Sequence, residues 1–135
     1  MNVAFSSDNN YAPYLAVSIL SVLKNNSESE ICFYILDFGI DNNNKEIIEN
    51  IVCNYGKSIK FIGVDKDEFA NFPITINYIS LATYARLNIT QYIPDVDKLL
   101  YIDVDTLTNG SLDDLWNTDI EQYSLCLLYT SPSPR

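Results

Sequence analysis

Apolar positions along this chain alternate between two periods. Val3-Ala4-Phe5-Ser6 is a short apolar run that reads as a buried strand, and Ser7-Asp8-Asn9-Asn10 breaks it with helix-capping residue types. Ala12, Leu15, Ala16, Ile19, Leu20 and Leu23 then recur at helical spacing, Pro13 is tolerated in the first turn, and Asn25-Asn26-Ser27 ends the helix. Ile31 to Leu36 is a continuous apolar run, the pattern of a strand covered on both faces. Asp37 to Asn44 is expected as a loop. Ile47, Ile48, Ile51, Val52 and Tyr55 mark a second amphipathic helix stopped by Gly56, and Ile59 to Val64 gives a third strand. This strand–helix–strand–helix–strand order predicts an α/β fold with a parallel sheet flanked by helices.

Beyond Val64 the pattern loosens. Asp65 to Ile79 is irregular and contains Pro73; Ser80 caps a third expected helix carrying Leu81, Tyr84, Ala85 and Ile89; Pro94-Asp95 is a turn. Leu99-Leu100-Tyr101-Ile102 is a fourth expected strand and runs into Asp103-Val104-Asp105. Asn109-Gly110 turns the chain, and a short helix begins within Ser111-Leu112-Asp113-Asp114-Leu115-Trp116. The last ten residues, Cys126 to Arg135, depart from everything before them. They resemble the translation of a transposon-end sequencing adapter, so residues 1–125 are expected to be the native domain and residues 126–135 an addition.

Composition narrows the chemistry. A chain of 135 residues suffices for one compact domain. A formal net charge of -10 argues against a nucleic-acid partner, which needs a basic footprint, and against anionic lipid. A nucleotide diphosphate is compatible with an acidic site once a cation lies between them. Cys32, Cys53 and Cys126 form no C-x-x-C pair, which favours free thiols in a reducing compartment. The absence of histidine excludes a Ser-His-Asp or Cys-His mechanism assembled from these residues alone. The start lacks a basic n-region, and Leu15 to Leu23 is too short to span a bilayer, so a cytoplasmic location is expected.

Three places carry candidate chemistry. Asp103 and Asp105 follow a buried strand, and residues i and i+2 of a strand face one side, so their carboxylates are expected to point together into the crevice where open α/β sheets bind ligands. Such hard oxygen donors suit Mn²⁺ or Mg²⁺ shared with a diphosphate, although two acids on a solvated loop look the same in sequence. Asp8, Asn10 and Tyr11 follow the first strand; the two polar side chains can read a base or ribose and the ring can stack, or the first two can cap a helix while the third packs. Arg86 is the single arginine before the tail and could steady a phosphate, hold the carboxylates in position, or form a purely structural salt bridge. No glycine-rich dinucleotide loop is present.

Val3 to Tyr11, then Thr83-Tyr84-Ala85-Arg86-Leu87, then Asp95 to Asp105 together resemble the successive motifs of glycosyltransferase family 8, with greatest similarity to bacterial lipooligosaccharide α-galactosyltransferases. The resemblance covers essentially residues 1–125. It implies a GT-A, Rossmann-like nucleotide-sugar-binding fold and a metal-dependent transfer of hexose, with retention, from UDP-galactose or UDP-glucose to a glycan acceptor in lipopolysaccharide or cell-surface glycan synthesis. It implies a donor site at Ser6, Asp8, Asn9, Asn10, Tyr11, Arg86, Asp103, Val104 and Asp105, with Mn²⁺ (or Mg²⁺) on Asp103 and Asp105. Family members carry a third metal ligand, a histidine, well downstream, and some attach to membranes through C-terminal segments. This chain holds neither feature, so the resemblance implies an N-terminal donor-binding part that binds UDP without transferring sugar. A haloacid-dehalogenase-type phosphatase also ends a buried strand on D-x-D-x-T/V, but Asp103-Val104-Asp105-Thr106-Leu107 departs at the last position and lies about a hundred residues too far along the chain.

Overall fold

The computed structural model describes residues 1–69 and 85–124. Among these, strands β1 (Asn2–Ser7), β2 (Cys32–Asp37), β3 (Ser58–Gly63) and β4 (Leu100–Tyr101) form one parallel sheet in the order β3-β2-β1-β4. β1 pairs with β2 over six residues, from Asn2↔Cys32 to Ser7↔Asp37, and with β4 at Val3↔Leu100 and Ala4↔Tyr101. Helices α1 (Ala12–Asn25) and α2 (Asn42–Asn54) connect the first three strands.

Alternation along the strands divides the apolar residues between two cores. Val3, Phe5, Phe33 and Ile35 face α1 and α2, where Leu15, Ile19, Val22, Leu23, Ile48 and Val52 meet them. Ala4, Tyr34 and Leu36 lie on the other face, with Phe38, Val64, Ala85 and Ile93. Covering both faces of β1 and β2 is what makes their sequences continuous apolar runs. Each fully buried Phe, Leu or Ile contributes about 1.5–3 kcal/mol, so these central strands anchor the domain. β3 is the exposed edge, and its solvent-facing Ser58, Lys60 and Gly63 interrupt the apolar pattern.

Most expected elements are present, with shifted ends. α2 begins at Asn42, inside the stretch expected as a loop, because Asp41 caps it: the Asp41 Oδ1 accepts the Asn44 backbone N–H at 2.8 Å. The fourth strand pairs only at Leu100 and Tyr101, shorter than the apolar run Leu99 to Ile102. Of the expected third helix, Ala85 is buried and Arg86–Asn88 and Ile89–Tyr92 form short helical turns. Pro73, Ser80, Leu81, Tyr84 and the tail Cys126 to Arg135 lie outside the described residues. Cys32 and Cys53 are free thiols, as expected. No helix among the described residues is long and apolar enough to cross a membrane.

Gly56 ends α2 as the sequence suggests. Its φ of 68° lies in the left-handed region, and the Gly56 and Lys57 N–H groups donate back to Cys53 and Val52 carbonyls at 2.8 and 3.2 Å, which satisfies the helix end. A methyl group there would meet no atom within 4 Å, so conformation alone decides the cost of adding one. Gly56→Ala is expected to lower stability by about 1 kcal/mol, read as a shift of the urea midpoint at unchanged slope; a neutral result would show that the left-handed turn is not needed.

Candidate functional site

The strand order sets where a ligand crevice is expected. The chain builds β1, β2 and β3 outward in one direction and then crosses to the far side of β1 to lay down β4. The segments leaving the carboxyl ends of β1 and β4 therefore diverge, which is where open parallel sheets bind ligands. Asp8 follows β1 directly, and Asp103 follows β4 by two residues, so the two acids stand at neighbouring strand ends.

The first segment is held by its own polar groups. Asp8 Oδ1 accepts the Tyr11 N–H at 3.1 Å, which fixes the turn into α1. Asn9 is committed to α2: its Oδ1 accepts the Asp41 N–H at 3.0 Å and the Asn44 amide at 2.9 Å. The Asn44 backbone N–H, and then the Asn9 amide, hold the Asp41 carboxyl below its ordinary range. Asn10 is exposed. Tyr11 is half-exposed at the start of α1 and lies against Tyr14, with ring centroids 5.6 Å apart. Ser6 is buried at the end of β1.

The second segment corrects one expectation. Asp103 and Asp105 do not share a strand face, because pairing stops at Tyr101 and a final Ile102 N–H to Ala4 carbonyl bond of 2.9 Å. A turn follows, closed by the Thr106 N–H and hydroxyl on the Asp103 carbonyl at 3.2 and 2.8 Å. Alternation nevertheless persists as far as Val104. Ile102 and Val104 pack into the core beneath α1 and α2, while Tyr101 packs on the opposite face. Val104, expected at the donor site, thus uses its side chain as an anchor. Asp103 and Asp105 are exposed.

Tyr101 was given no role from sequence, yet it gathers the site. The Arg86 guanidinium lies over its ring, 5.8 Å from the centroid, and Arg86 Nη1 is 3.5 Å from Asp103 Oδ1. Ser6 and Asp103 both act on its hydroxyl, and burial, followed by the Asp103 charge, pushes the phenol up to about 12, with Arg86 pulling the other way. Its place two residues before Asp103 on an apolar strand was the available signal.

The donors present suit a hard divalent cation. Two exposed carboxylates at one turn could supply oxygen ligands, and among the described residues no group of three or more His, Cys, Asp or Glu side chains could enclose a metal. Such a set leaves coordination positions for water and a ligand's phosphate oxygens, the arrangement usual for Mg²⁺ and Mn²⁺.

The family model for glycosyl transferase family 8 matches residues 2–132. The chain belongs to glycosyl transferase family 8. It is 58% identical over 125 residues to a Haemophilus influenzae protein provisionally named a glycosyltransferase, covering 93% of this chain and 38% of that one. It is 27% identical over 131 residues to the lipopolysaccharide glucosyltransferase WaaO of Escherichia coli, covering 96% and 38%. Among solved structures, the galactosyltransferase LgtC in complex with donor and acceptor sugar analogs superposes with a TM-score of 0.83 at 43% identity, covering 89% of this chain and 43% of that one. The chain thus spans less than half the length of these relatives. With its parallel sheet, this family 8 chain has the GT-A architecture, and the phosphatase alternative falls away.

The raised Tyr101 value makes a prediction at alkaline pH. Its folded-state value of about 12 lies above the ordinary 10.0, so its contribution is intact below pH about 10 and is lost as pH rises toward about 12. Tyr92, also pushed up to about 12 by burial and by its bond to Glu68, acts in the same window. Tyr101→Phe is expected to flatten, without abolishing, the fall of the urea midpoint across that window. An unaltered fall would place the Tyr101 hydroxyl in solvent.

Proposed function

We propose that the crevice between β1 and β4 binds the UDP part of UDP-galactose or UDP-glucose together with Mn²⁺ (or Mg²⁺), and that the whole protein transfers the hexose, with retention, to a glycan acceptor of the cell surface such as lipopolysaccharide. The observation that carries this reading is that Asp8 and Asp103, the latter paired with Arg86, follow the carboxyl ends of the neighbouring parallel strands β1 and β4, where the strand order reverses among the described residues. The family supports it, as do the donor and acceptor sugar analogs in the LgtC complex and the lipopolysaccharide activity in the name of WaaO.

Each residue has a distinct task in this reading. Asp8 and Asn10 hydrogen-bond the uridine and Tyr11 stacks on its base, with Ser6 forming the floor beside them. Asn9 holds the loop to α2, and Val104 offers only its backbone. Asp103 and Asp105 would hold the cation, which stabilises negative charge building on the UDP leaving group as the glycosidic bond breaks. Arg86, already beside Asp103, supplies a second fixed positive charge near the diphosphate. Free thiols and a UDP-sugar donor fit a cytoplasmic site, peripheral to the inner membrane if the whole protein is so attached.

Calorimetry of UDP with this chain tests the reading. Binding is expected to be much weaker in EDTA than in Mn²⁺, because the acidic turn repels a bare diphosphate. Asp103→Asn or Asp105→Asn is expected to weaken the Mn²⁺-dependent binding roughly 100-fold, since removing a charged ligand costs at least as much as the roughly 10- to 100-fold lost with residues that only orient one. Equal affinity in Mn²⁺ and EDTA would show that the two carboxylates are not a metal site.

A further inference from the structure

The segment that leaves the acidic turn has little apolar packing of its own. Thr106, Asn109, Gly110 and Ser111 are exposed, and Leu107 is 70% exposed. Its course is fixed by the polar C-terminal end of α1, with Leu112 packed on the core beyond it. The Thr108 peptide is held on both sides: its N–H donates to Ser21 Oγ at 2.9 Å, and its carbonyl accepts from the Asn25 amide at 2.9 Å. Four residues on, the Leu112 N–H donates to Asn26 Oδ1 at 2.6 Å. Asn26 is itself buried, and its amide donates to the Val22 carbonyl at 2.9 Å, so it ties off the helix end while it grips the passing chain.

The geometry confines the acids between two backbone anchors, with the Val104 side chain packed on the core between them. On one side, the Ile102 N–H is bonded to Ala4 of β1; on the other, Thr108 is bonded to α1. Asp105 sits three residues before the second anchor, a span of at most roughly 10 Å of extended chain. A shift of the segment at Thr108 is passed to Asp105 more than to Asp103, which has the paired strand immediately before it. We propose that Ser21, Asn25 and Asn26 are positioning residues for the acidic turn: through Thr108 and Leu112 they set where the Asp105 carboxylate meets the cation. The proposal rests on reading the crevice as a metal–diphosphate site. None of the three has a place in that site, and they stand at the opposite end of α1 from Tyr11.

Residues that orient a metal ligand at second hand typically change metal affinity about 10-fold when removed. Ser21 is half-buried and Asn25 exposed, so the fold tolerates their loss; Ser21→Thr keeps a hydroxyl that can accept the Thr108 N–H. UDP binding by this chain is measured by calorimetry in Mn²⁺ and in EDTA, alongside the thermal midpoint. Ser21→Ala combined with Asn25→Ala is expected to weaken Mn²⁺-dependent binding about 10-fold, leave the residual interaction in EDTA as it was, and move the midpoint little. Ser21→Thr is expected to bind like the unaltered chain. Mn²⁺-dependent affinity within about twofold of the unaltered chain would overturn the proposal, as would equal losses in Mn²⁺ and EDTA, which mark general damage. Should the double variant not fold, Asn25→Ala alone carries the same comparison. An unaltered chain with no Mn²⁺ dependence would instead refute the site reading and this proposal with it. Dependence lost in Asp105→Asn but retained in the double variant refutes the proposal alone.

Discussion

β1 is the constraint on which the rest depends. It is buried on both faces, pairs with β2 along its whole length, and pairs with β4 on its other side. Val3 and Phe5 belong to one core and Ala4 to the other, so displacing this strand would open both at once. Being central, it also fixes the reversal of strand order, and with it the line along which two chain segments separate at the sheet edge. The position of the site follows from that burial.

The site itself is weakly packed and strongly charged. Asp103 and Asp105 are exposed and stand in a chain whose net charge is -10. Arg86 offsets part of this locally through its pair with Asp103 and its place over Tyr101. An ion pair this exposed is worth little to the fold, since such pairs contribute on the order of 0.2–1 kcal/mol. In the proposed reading its value lies in placing the Arg86 cation beside the carboxylates, where a diphosphate would need charge balance. The acids are held by their flanks, with Ile102 and Val104 in the core before and between them and the polar end of α1 after them.

The sheet was legible in the sequence because burial on both faces writes a continuous apolar run, as in Phe33 to Leu36. Gly56 was legible because only a left-handed turn explains a glycine there. The start of α2 was not: Asp41-Asn42-Asn43-Asn44 has the composition of a loop, and only the Asp41 cap shows that three of these residues are helical. The acidic turn was half legible. The apolar run Leu99 to Ile102 led to it, but apolar residues do not reveal where pairing ends, and β1 offers β4 only two register partners. Tyr101 was hidden by looking apolar, and the Ser21, Asn25 and Asn26 anchors by looking like an ordinary helix terminus. Both depend on contacts between residues about 15 to 86 positions apart, which periodicity cannot encode.

The central claim is that the crevice between β1 and β4 takes up a divalent cation and a nucleotide diphosphate together. Mn²⁺ is paramagnetic, and it broadens the amide resonances of nearby residues. The most direct measurement is an amide spectrum of the chain with UDP, recorded as Mn²⁺ is added in trace amounts. The account predicts that signals of Asp8–Tyr11 and Asp103–Thr106 broaden first, while those of the β3 edge around Lys60 remain sharp. First broadening at the groove between Tyr34, Lys60 and Asp95, or uniform broadening over the acidic surface, would contradict it.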